Sequence, residues 1–474
     1  MSHSIETLDN FIDGKPAPAA TDAVVDVVDP CTGEVRARTC ASGPAEVEEA
    51  MRAAERAFVS WRRTLPAERQ EALLALADAL RARTAEFAEA ELRDTGSAAA
   101  AGEVPLMVDQ LRFFAGAARL LNGTAAGEYA AGHTSYVRRE PVGVCAQLAP
   151  WNFPLLMAVL KSAPAIAAGN TVVLKPAPST PTSALLLAEL AAQFLPPGVL
   201  NVICGGDDTG RLMVEHPVPA MVSLTGSVGA GREVARSAAD GLKRLHLELG
   251  GKTPVIVCAD ADLDAAVETI VTGGFANAGQ DCTAASRVLA ADEVYDEFTE
   301  RLAEAARAVR TGPPSEAGAL YGPLNNADQL ERVSGFVHRL PEHARVLTGG
   351  HRVGDSGYFF APTVIAGVRQ DDEITHEEVF GPVITVQRFT DEEEAIRLAN
   401  GVSKGLASAV WTRDGARALR LSQALDHGCV WINTHLGFPS EMPHGGFKDS
   451  GYGKDLSAYG FEAYTRIKHV MQRF

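Results

Sequence analysis

From residue 142 onward the chain alternates short β-rich runs with helical stretches, and this alternation constrains the fold more than any other feature. Strands that alternate with helices usually form parallel βαβ units, so the pattern predicts an α/β fold with a doubly wound sheet. The predicted helices cover 181–194 and 230–239, and the predicted strands are 142–148, 171–174, 199–204, 221–224, 245–249 and 255–257.

A second alternating series begins near residue 262, after a glycine-rich connection at Gly250 and Gly251. It predicts a second α/β domain that starts near residue 250. The length of 474 residues also exceeds what one hydrophobic core usually serves. The predicted helices of this series are 262–276, 293–309, 391–400 and 414–425, and its strands are 286–290, 346–348, 383–389, 407–411 and 429–433.

Two long helices are predicted before the first strand series. Residues 44–59 and 66–92 are rich in Ala, Leu, Glu and Arg, with apolar residues spaced three and four apart. Thr64 is the expected cap of the second helix, and Pro66 suits its first turn.

Two further segments fit neither predicted domain. Residues 124–141 have the pattern of a hairpin, and the tail from Tyr464 alternates polar and apolar residues like an edge strand. Exposed strands of this kind favour pairing with another subunit. We therefore expect the chain to associate with itself.

Charge and cysteine usage limit the function classes. The net charge of -17 argues against a nucleic-acid partner, because phosphate binding needs clustered Lys and Arg. Seven scattered cysteines without a CxxC pair indicate neither a disulfide framework nor a metal site, which predicts a reducing, cytoplasmic compartment. No signal peptide is visible, and the longest apolar stretch, 154–168, is interrupted by Lys161 and Pro164. We expect a soluble protein without a membrane partner.

Cys282 is the first candidate for chemistry. Most lone cysteines are buried structural residues. The residues before this one, Gly279, Gln280 and Asp281, are small or polar and form no apolar core. A thiol that is partly ionised near amide donors becomes a nucleophile, so the segment favours a displayed, reactive cysteine.

Glu248 is the second candidate. It lies on a predicted strand, where a carboxylate usually faces solvent. The strand runs directly into Gly250 and Gly251, and ligands of open α/β sheets gather at the carboxyl ends of strands. This position favours a general base.

Four other motifs follow strands, and each has a plain structural alternative. Asn152 could donate its amide to an oxyanion or belong to an aromatic turn. Lys175 could contact the ribose hydroxyls of a dinucleotide or be a surface lysine. Gly226 and Ser227 lead into a helix whose free amides suit a pyrophosphate, although the turn is not GxGxxG. The segment around Glu378, taken singly, is typical of a solvated turn.

In combination these motifs resemble the aldehyde dehydrogenase superfamily. They keep one order and spacing from near residue 10 to the C-terminus. The motifs are Pro-Trp-Asn-Phe-Pro at 150–154, Leu-Lys-Pro at 174–176, Thr-Gly-Ser at 225–227, Leu-Glu-Leu-Gly-Gly-Lys at 247–252, Gly-Gln-Asp-Cys at 279–282, Glu-Val-Phe-Gly-Pro at 378–382 and the glycine-rich run at 445–454.

The resemblance implies an aldehyde dehydrogenase-like α/β fold with three parts. These are a Rossmann-type dinucleotide domain, an α/β catalytic domain and a small β oligomerisation element that would form a homotetramer or homodimer. The expected boundaries are 1–123 and 142–249 for the dinucleotide domain, 250–452 for the catalytic domain, and 124–141 with 453–474 for the oligomerisation element.

The resemblance also implies roles for the candidate residues. Cys282 would attack the aldehyde, Asn152 and the Cys282 backbone amide would hold the oxyanion, and Glu248 would activate the hydrolytic water. Lys161 matches a family lysine near the active site. The residues expected to bind NAD are Leu148, Pro150, Trp151, Lys175, Gly226, Ser227, Leu249, Glu378 and Phe380.

Two departures from the family pattern bear on these roles. Many NAD-preferring members carry a glutamate three residues after the lysine, where this chain has Pro178. Without that carboxylate, no negative charge at position 178 repels the 2'-phosphate of NADP, so NADP remains a second candidate cofactor. Where the family often has a glutamate near the C-terminus, this chain has Asp455. A proton relay through that position therefore cannot be carried over from the family.

The cysteine loop and the segment 433–446 look most like the γ-aminobutyraldehyde dehydrogenase branch. An ω-ammonium group prefers carboxylates and aromatic faces. The candidate contacts are Asp281, Glu441 and Asp109 for the carboxylates and Phe153 and Phe438 for the aromatic faces.

Other functions remain as alternatives. One is a betaine-aldehyde dehydrogenase. A semialdehyde dehydrogenase for an anionic substrate would want a pocket arginine, and the first arginine after Cys282 is Arg287. A CoA-acylating relative would usually lack Glu248, and a catalytically silent structural relative would be expected to lose Cys282 or Glu248.

Overall fold

The computed structural model describes residues 5–18, 23–97 and 100–474. An eight-stranded sheet contains the first predicted strand series except 255–257, which belongs to the second sheet. Its five strands from Arg244–Leu249 to Leu200–Val202 are parallel. Across the sheet the order is Gly451–Tyr452, Arg244–Leu249, Met221–Gly226, Val144–Leu148, Thr171–Lys175, Leu200–Val202, Asn10–Ile12 and Lys15–Ala17. The α/β class predicted from the sequence is confirmed.

A seven-stranded sheet contains the second series. Its strands are parallel apart from the edge strand Arg345–Thr348, which pairs antiparallel with its neighbour. The order is Arg345–Thr348, Thr363–Ala366, Val383–Phe389, Arg287–Ala291, Pro254–Val257, Ala407–Trp411 and Cys429–Ile432. Its central strands are buried along their whole length, as expected for parallel strands covered by helices on both faces.

Helices pack on both sheets through their apolar residues. Several begin at polar caps, as where the Asp262 carboxylate accepts a hydrogen bond from Ala265 N. Among the described residues no helix has the length and hydropathy needed to cross a membrane. The helices are Pro44–Trp61, Pro66–Ala82, Thr84–Thr95, Ala100–Ala117, Pro154–Ala167, Thr182–Ala191, Asp207–Glu215, Val228–Ala239, Leu263–Phe275, Tyr295–Ala308, Ala327–His338, Glu373–His376, Glu392–Asn400, Gly415–Ala424 and Ser457–Ala463.

The second predicted N-terminal helix is wrong in one respect, because it is two helices. Pro66–Ala82 ends at Arg83, whose dihedrals of φ -105 and ψ 21 leave the helical region, and Thr84–Thr95 follows. Leu80 and Phe87, on either side of the break, are both buried in the same core. The spacing of apolar residues continues through residue 92, but the chain breaks at Arg83 because the helices before and after it both pack on this core.

The start of that helix also differs from the prediction. Pro66 occupies the first turn as expected, but the N-cap residue is Leu65. Thr64 does not cap the helix, because its hydroxyl donates to the carbonyl of Trp61. The Glu68 carboxylate accepts from Leu65 N instead, at 2.6 Å.

The hairpin and the C-terminal strand form a separate three-stranded sheet. Gly127–Ala130 and Thr465–Arg473 both pair antiparallel with His133–Pro141. The tail strand is therefore an edge strand, and its partner lies within the same chain. Two smaller sheets complete the structure, formed by Glu6–Leu8, Val35–Cys40 and Val24–Val28, and by Lys404–Gly405 with Phe447–Lys448.

One long-range pairing positions the functional site. The short strand Gly451–Tyr452 pairs antiparallel with Arg244–Leu249, with Gly451 opposite Glu248. The glycine-rich segment near the C-terminus is thereby brought against the strand that carries the candidate base.

Candidate active site

A cavity of about 530 Å³ lies at the carboxyl ends of three parallel strands of the first sheet. Residues that follow Val144–Leu148, Met221–Gly226 and Arg244–Leu249 line it together with the cysteine loop. The predicted site residues that line it are Cys282, Glu248, Asn152, Pro150, Trp151, Gly226, Ser227, Leu249, Glu378, Phe380, Asp281, Asp109, Phe153 and Phe438. Leu148, Lys175 and Glu441 do not line it, and Glu441 is exposed.

The backbone before the cysteine is held in an unusual conformation. Asn277 and Ala278 have φ values of 49 and 57, and Gly279 has a φ of 67. A Cβ at Gly279 would overlap with the carbonyl of Gly381. Non-glycine residues in this region carry strain of roughly 1–3 kcal/mol each, which the surrounding packing must offset. The loop therefore depends on tertiary contacts for its shape.

Asp281 and Thr283 close the turn on which Cys282 sits. The Asp281 carboxylate accepts hydrogen bonds from the backbone amide and the hydroxyl of Thr283, both at 2.7 Å. The carbonyl of Thr283 lies 2.9 Å from the imidazole Nε2 of His435. Asp281, which the sequence indicated only as a substrate contact, also orders the nucleophile loop.

The carboxamide of Asn152 is fixed against this loop. Its Nδ2 donates to the carbonyl of Gln280 at 3.0 Å, and its backbone carbonyl accepts from Asn277 Nδ2 at 2.8 Å. An amide nitrogen has two hydrogens, so one remains to donate toward an oxyanion beside Cys282. Asn277 and Gln280 were read in the sequence only as polar neighbours of the cysteine. Their role in positioning Asn152 depends on a contact across 125 residues.

Burial changes the acidity of the thiol. The pKa of Cys282 is raised well above its ordinary value by burial and then by the charges of Asp281, Glu248 and Glu378. The free protein therefore holds a thiol, and a proton must leave before or during attack on a carbonyl carbon.

Burial also raises the pKa of Glu248 well above its ordinary value, and Asp455 adds to this effect. The nearby cations of Lys161 and Lys454 act in the opposite direction. A general base with a raised pKa holds a water proton more strongly than an exposed carboxylate does. The surroundings of Glu248 thus suit the role that the strand position indicated.

Glu378 is not part of a solvated turn. Its Oε1 accepts a hydrogen bond from the amide of Gly251 at 2.9 Å, and a Cβ at Gly250 would overlap with its carboxylate. Burial raises the pKa of Glu378 to about 7. Gly250 is therefore needed so that this carboxylate can approach the backbone.

Phe380, two residues further on, has a φ of 58, and its ring lies 5.3 Å from the ring of Trp151 at 80°. Gln329 holds this strained backbone by donating to the carbonyls of Val379 and Phe380. Trp151 and Phe380 together form an aromatic corner of the cavity.

The residues at the sheet edge fit a dinucleotide. Ser227 caps the helix Val228–Ala239, with its Oγ accepting from Ala230 N, and the first amides of this helix stand next to the cavity. Lys175 ends a neighbouring strand, and its buried Nζ donates to the carbonyls of Pro176 and Gly205. Burial lowers the pKa of Lys175 to about 8. Leu148 is buried in the core beneath them.

A third carboxylate, Glu103, lines the cavity together with Asp109 and Asp281. Burial and then the charge of Asp281 raise the pKa of Glu103 to about 7. The Asp109 carboxylate accepts from Ser440 Oγ at 2.6 Å. Glu103 was not predicted, although the helical spacing of Glu103, Leu106 and Gln110 gives a common face.

His444 also lines the cavity and was not predicted as a site residue. Its Nε2 lies 3.9 Å from Oε2 of Glu248, and its ring contacts Phe438 edge to face at 5.1 Å. The only sequence signal was its place between a Met-Pro pair and two glycines.

Comparison with known proteins agrees with this geometry. The sequence matches the profile of the Aldehyde dehydrogenase family over residues 17–470. It is 41% identical over 477 residues to a mitochondrial aldehyde dehydrogenase of Leishmania tarentolae, with 99% of this chain and 95% of that protein covered.

Solved structures superpose closely. An NAD-dependent aldehyde dehydrogenase from Sinorhizobium meliloti has a TM-score of 0.96 at 38% identity, covering 99% of this chain and 95% of that one. A point mutant of betaine aldehyde dehydrogenase from Staphylococcus aureus, in complex with NAD+, has a TM-score of 0.96 at 34% identity, covering 98% and 96%. This chain belongs to the aldehyde dehydrogenase family and is an NAD-dependent oxidoreductase that acts on aldehydes.

Proposed function

We propose that this enzyme oxidises an aldehyde with a terminal ammonium group, 4-aminobutanal or a related aminoaldehyde, to the carboxylic acid. The observation that carries the proposal is the set of three carboxylates, Glu103, Asp109 and Asp281, in the same cavity as Cys282. Phe153 and Phe438 add aromatic faces to this cavity. An ammonium group is attracted by both kinds of group, and most strongly where water is partly excluded.

The proposed reaction begins with attack by the Cys282 sulfur on the aldehyde carbon. The thiol releases its proton to water in the cavity as the S–C bond forms, and the carbonyl oxygen becomes an oxyanion. The free hydrogen of the Asn152 amide and the backbone amide of Cys282 donate to this oxyanion. Because both donors are fixed before the substrate arrives, little reorganisation is needed at the moment of attack.

NAD, when bound, would supply the oxidant for this step as a hydride acceptor. The residues proposed to bind NAD are Trp151, Lys175, Gly226, Ser227, Leu249, Glu378 and Phe380. Leu148 and Pro150 are proposed to pack beneath the cofactor. A thioester then remains on Cys282. Glu248 takes a proton from a water molecule, the resulting hydroxide attacks the thioester carbon, and the C–S bond breaks to release the acid.

The carboxylates that line the cavity outnumber the arginine that lines it, Arg332, which supports a cationic substrate over an anionic one. The three carboxylates would repel an anionic semialdehyde. Arg287, the first arginine after the nucleophile, is fully buried and donates to the carbonyls of Leu398 and Ala399. Betaine aldehyde carries a quaternary ammonium group and remains the second candidate, favoured by the similarity to the Staphylococcus aureus protein.

Initial rates with a substrate panel test the proposal. We expect kcat/KM for 4-aminobutanal to exceed that for uncharged butanal by about tenfold or more, equivalent to roughly 1.4 kcal/mol. Each aldehyde is measured with NAD and with NADP. A preference for butanal or succinic semialdehyde would contradict the proposal, and a preference for betaine aldehyde would select the second candidate.

Matched variants separate charge from shape. Glu103→Gln should raise KM for 4-aminobutanal about tenfold and leave kcat/KM for butanal within about twofold. An equal effect on both substrates would show that Glu103 only shapes the cavity.

Cys282→Ala tests the covalent step, and activity that survived this change would overturn the mechanism.

We further propose that the chain assembles as a homotetramer or homodimer through the sheet of the oligomerisation element. Ile467, Met471 and Tyr129 are exposed there, and a cleft of about 320 Å³ lies beside the tail strand. Apolar exposure on an edge strand favours a second copy of the sheet. Light scattering should give a monomer when residues 465–474 are deleted and an oligomer for the intact chain.

The compartment and the domain boundaries also remain proposals. All seven cysteines are free, which supports a reducing, cytoplasmic location.

The chain is proposed to divide into a dinucleotide-binding part at 1–123 and 142–249, a catalytic part at 250–452 and an oligomerisation part at 124–141 and 453–474. The separate sheets support this division, except that Gly451–Tyr452 of the catalytic part pairs in the sheet of the dinucleotide-binding part.

A further inference from the structure

Glu248 has an imidazole at its side that the proposed mechanism does not use. Nε2 of His444 lies 3.9 Å from Oε2 of Glu248. The His444 side chain is 13% exposed and lines the cavity, whereas the Glu248 side chain is 4% exposed. His444 is therefore the better hydrated of the two groups.

The backbone that carries this imidazole also approaches the carboxylate. Gly445 has a φ of 151, and a Cβ at this position would overlap with Oε1 of Glu248. The carbonyl of Gly445 accepts a hydrogen bond from Lys454 Nζ. The two oxygens of Glu248 thus face two consecutive residues, His444 and Gly445.

Two backbone hydrogen bonds join His444 to Asp455, whose carboxylate lies near a second imidazole on the strand of Glu248. His444 N donates to the Asp455 carbonyl at 3.0 Å, and Asp455 N donates to the His444 carbonyl at 2.7 Å. The Asp455 carboxylate lies 3.3 Å from Nε2 of His246. His246 and Glu248 are two residues apart on one strand, so their side chains share a face of the sheet.

Several polar atoms of this cluster have no hydrogen-bond partner among the described residues. They are Oε1 of Glu248, Nδ1 of His444 and both ring nitrogens of His246. Buried polar atoms without a partner are costly, and proteins retain them where water or a proton is handled. The cluster has the composition of a proton-transfer site.

Burial raises the pKa of Glu248 and lowers that of His444, so a proton moves from Glu248 to His444 uphill and is drawn forward by its release to solvent. Burial lowers the pKa of His444, and the nearby cation of Lys454 adds to this effect. Asp455 and Asp281 act in the opposite direction. The neutral imidazole has a free lone pair, and an imidazolium 3.9 Å from an ionised Glu248 would be held by their attraction. Lys161, the other cation near Glu248, donates to Ser223 Oγ at 3.1 Å.

We propose that His444 accepts the proton that Glu248 takes from the hydrolytic water and passes it to water in the cavity. Because 3.9 Å exceeds the length of a hydrogen bond, one bridging water carries the transfer. The O–H bond on Glu248 breaks as the water accepts that proton, the water gives one of its own protons to Nε2 of His444, and the imidazolium then releases one proton to solvent. No electrons are exchanged. This role rests on the proposed function of Glu248 as the base, and it returns Glu248 to the carboxylate for the next turnover.

His444→Phe tests the inference, because phenylalanine keeps an aromatic ring against Phe438 and cannot carry a proton. We expect the first turnover of NADH formation to be unchanged and the steady-state rate to fall about tenfold, since proton transfer commonly contributes roughly 10²-fold or more. Acylated Cys282 should accumulate and be detectable by mass spectrometry. Imidazole added to the buffer should restore most of the lost rate.

A histidine away from the cavity provides the control for His444→Phe. His351→Phe alters an exposed histidine outside the lining of the cavity and should leave both phases unchanged. An unchanged steady-state rate for His444→Phe would overturn the inference. So would a slow rate that imidazole does not rescue and whose pH profile matches the unaltered enzyme, because that result assigns His444 to packing alone. If His444→Phe does not fold, His444→Gln is measured in the same way.

The underlying role of Glu248 is tested separately. If Glu248→Gln hydrolyses the thioester at the normal rate, the proposed base is wrong whatever His444 does. If Glu248→Gln accumulates the acyl-enzyme while His444→Phe does not, only the relay is wrong.

Discussion

The backbone of Gly251 packs directly against the carbonyl group of Cys282, so that a Cβ at Gly251 would overlap with the Cys282 carbonyl oxygen. The strand that carries Glu248 ends at this contact. The proposed base and the proposed nucleophile, 34 positions apart in the sequence, are therefore linked by backbone packing. This contact explains why a glycine follows the strand, at position 251.

Gly251→Ala should displace the nucleophile. The added methyl group forces the cysteine loop away, at a cost of about 1–3 kcal/mol in the free energy of unfolding. Thermal unfolding and the rate of the first turnover should both fall. Gly415→Ala is the matched control, because a Cβ there meets no atom within 4 Å. Full activity in Gly251→Ala would show that the contact is not needed.

Glu248→Gln should separate the two halves of the reaction. The substitution preserves the side-chain volume and removes the base, so NADH formation in the first turnover should persist. Steady-state turnover should fall by roughly 10²–10⁴-fold. Stopped-flow absorbance of NADH measures both phases. An equal loss in both phases would place Glu248 in the attack step instead.

Asn152→Ala should weaken oxyanion stabilisation. Removing one fixed donor costs roughly 10²–10³-fold in kcat. The amide also donates to the Gln280 carbonyl, so some loss of loop order is expected in addition. Gln280→Ala would affect the loop while leaving the donor in place, and comparing kcat for the two variants separates the effects. A near-normal kcat in Asn152→Ala would exclude its role.

The charge of Asp281 should set part of the pH dependence. Asp281 raises the pKa of Cys282, so removing its charge lowers that pKa and increases the thiolate fraction at a given pH. With neutral butanal, Asp281→Asn should shift the acid limb of kcat/KM to lower pH. Asparagine can still accept the hydrogen bonds from Thr283. Asp208→Asn, at an exposed position, is the control, and a shift to higher pH would contradict the argument.

Cofactor choice should respond to position 178. Pro178→Glu places a carboxylate where a 2'-phosphate would lie if the chain binds the adenosine ribose as we propose. The ratio of kcat/KM for NADP to that for NAD should fall about tenfold or more through repulsion. Pro178→Gln, which is similar in size and uncharged, should change this ratio much less. If both variants behave alike, charge at this position does not decide the cofactor.

Strand and helix positions were largely predictable from local pattern. Apart from Thr363–Ala366, which was not predicted, the parallel strands of both sheets lie within a few residues of their predicted bounds, because β-rich runs are properties of short segments. The break at Arg83 was missed, since the amphipathic pattern continues through it. The helix Pro154–Ala167 contains a fully buried lysine and an internal proline. Local rules disfavour both residues, and only tertiary packing accommodates them.

The sequence by itself determined the fold class, the nucleophile motif and the strand that carries the candidate base, because each depends on residues close together in the chain. Tertiary structure alone decided which charges surround them. Glu103, His444 and Asp455 come from distant segments, and their proximity to Cys282 or Glu248 exists only after the sheets assemble. Electrostatic effects depend on distance and burial in space, so local pattern does not contain them.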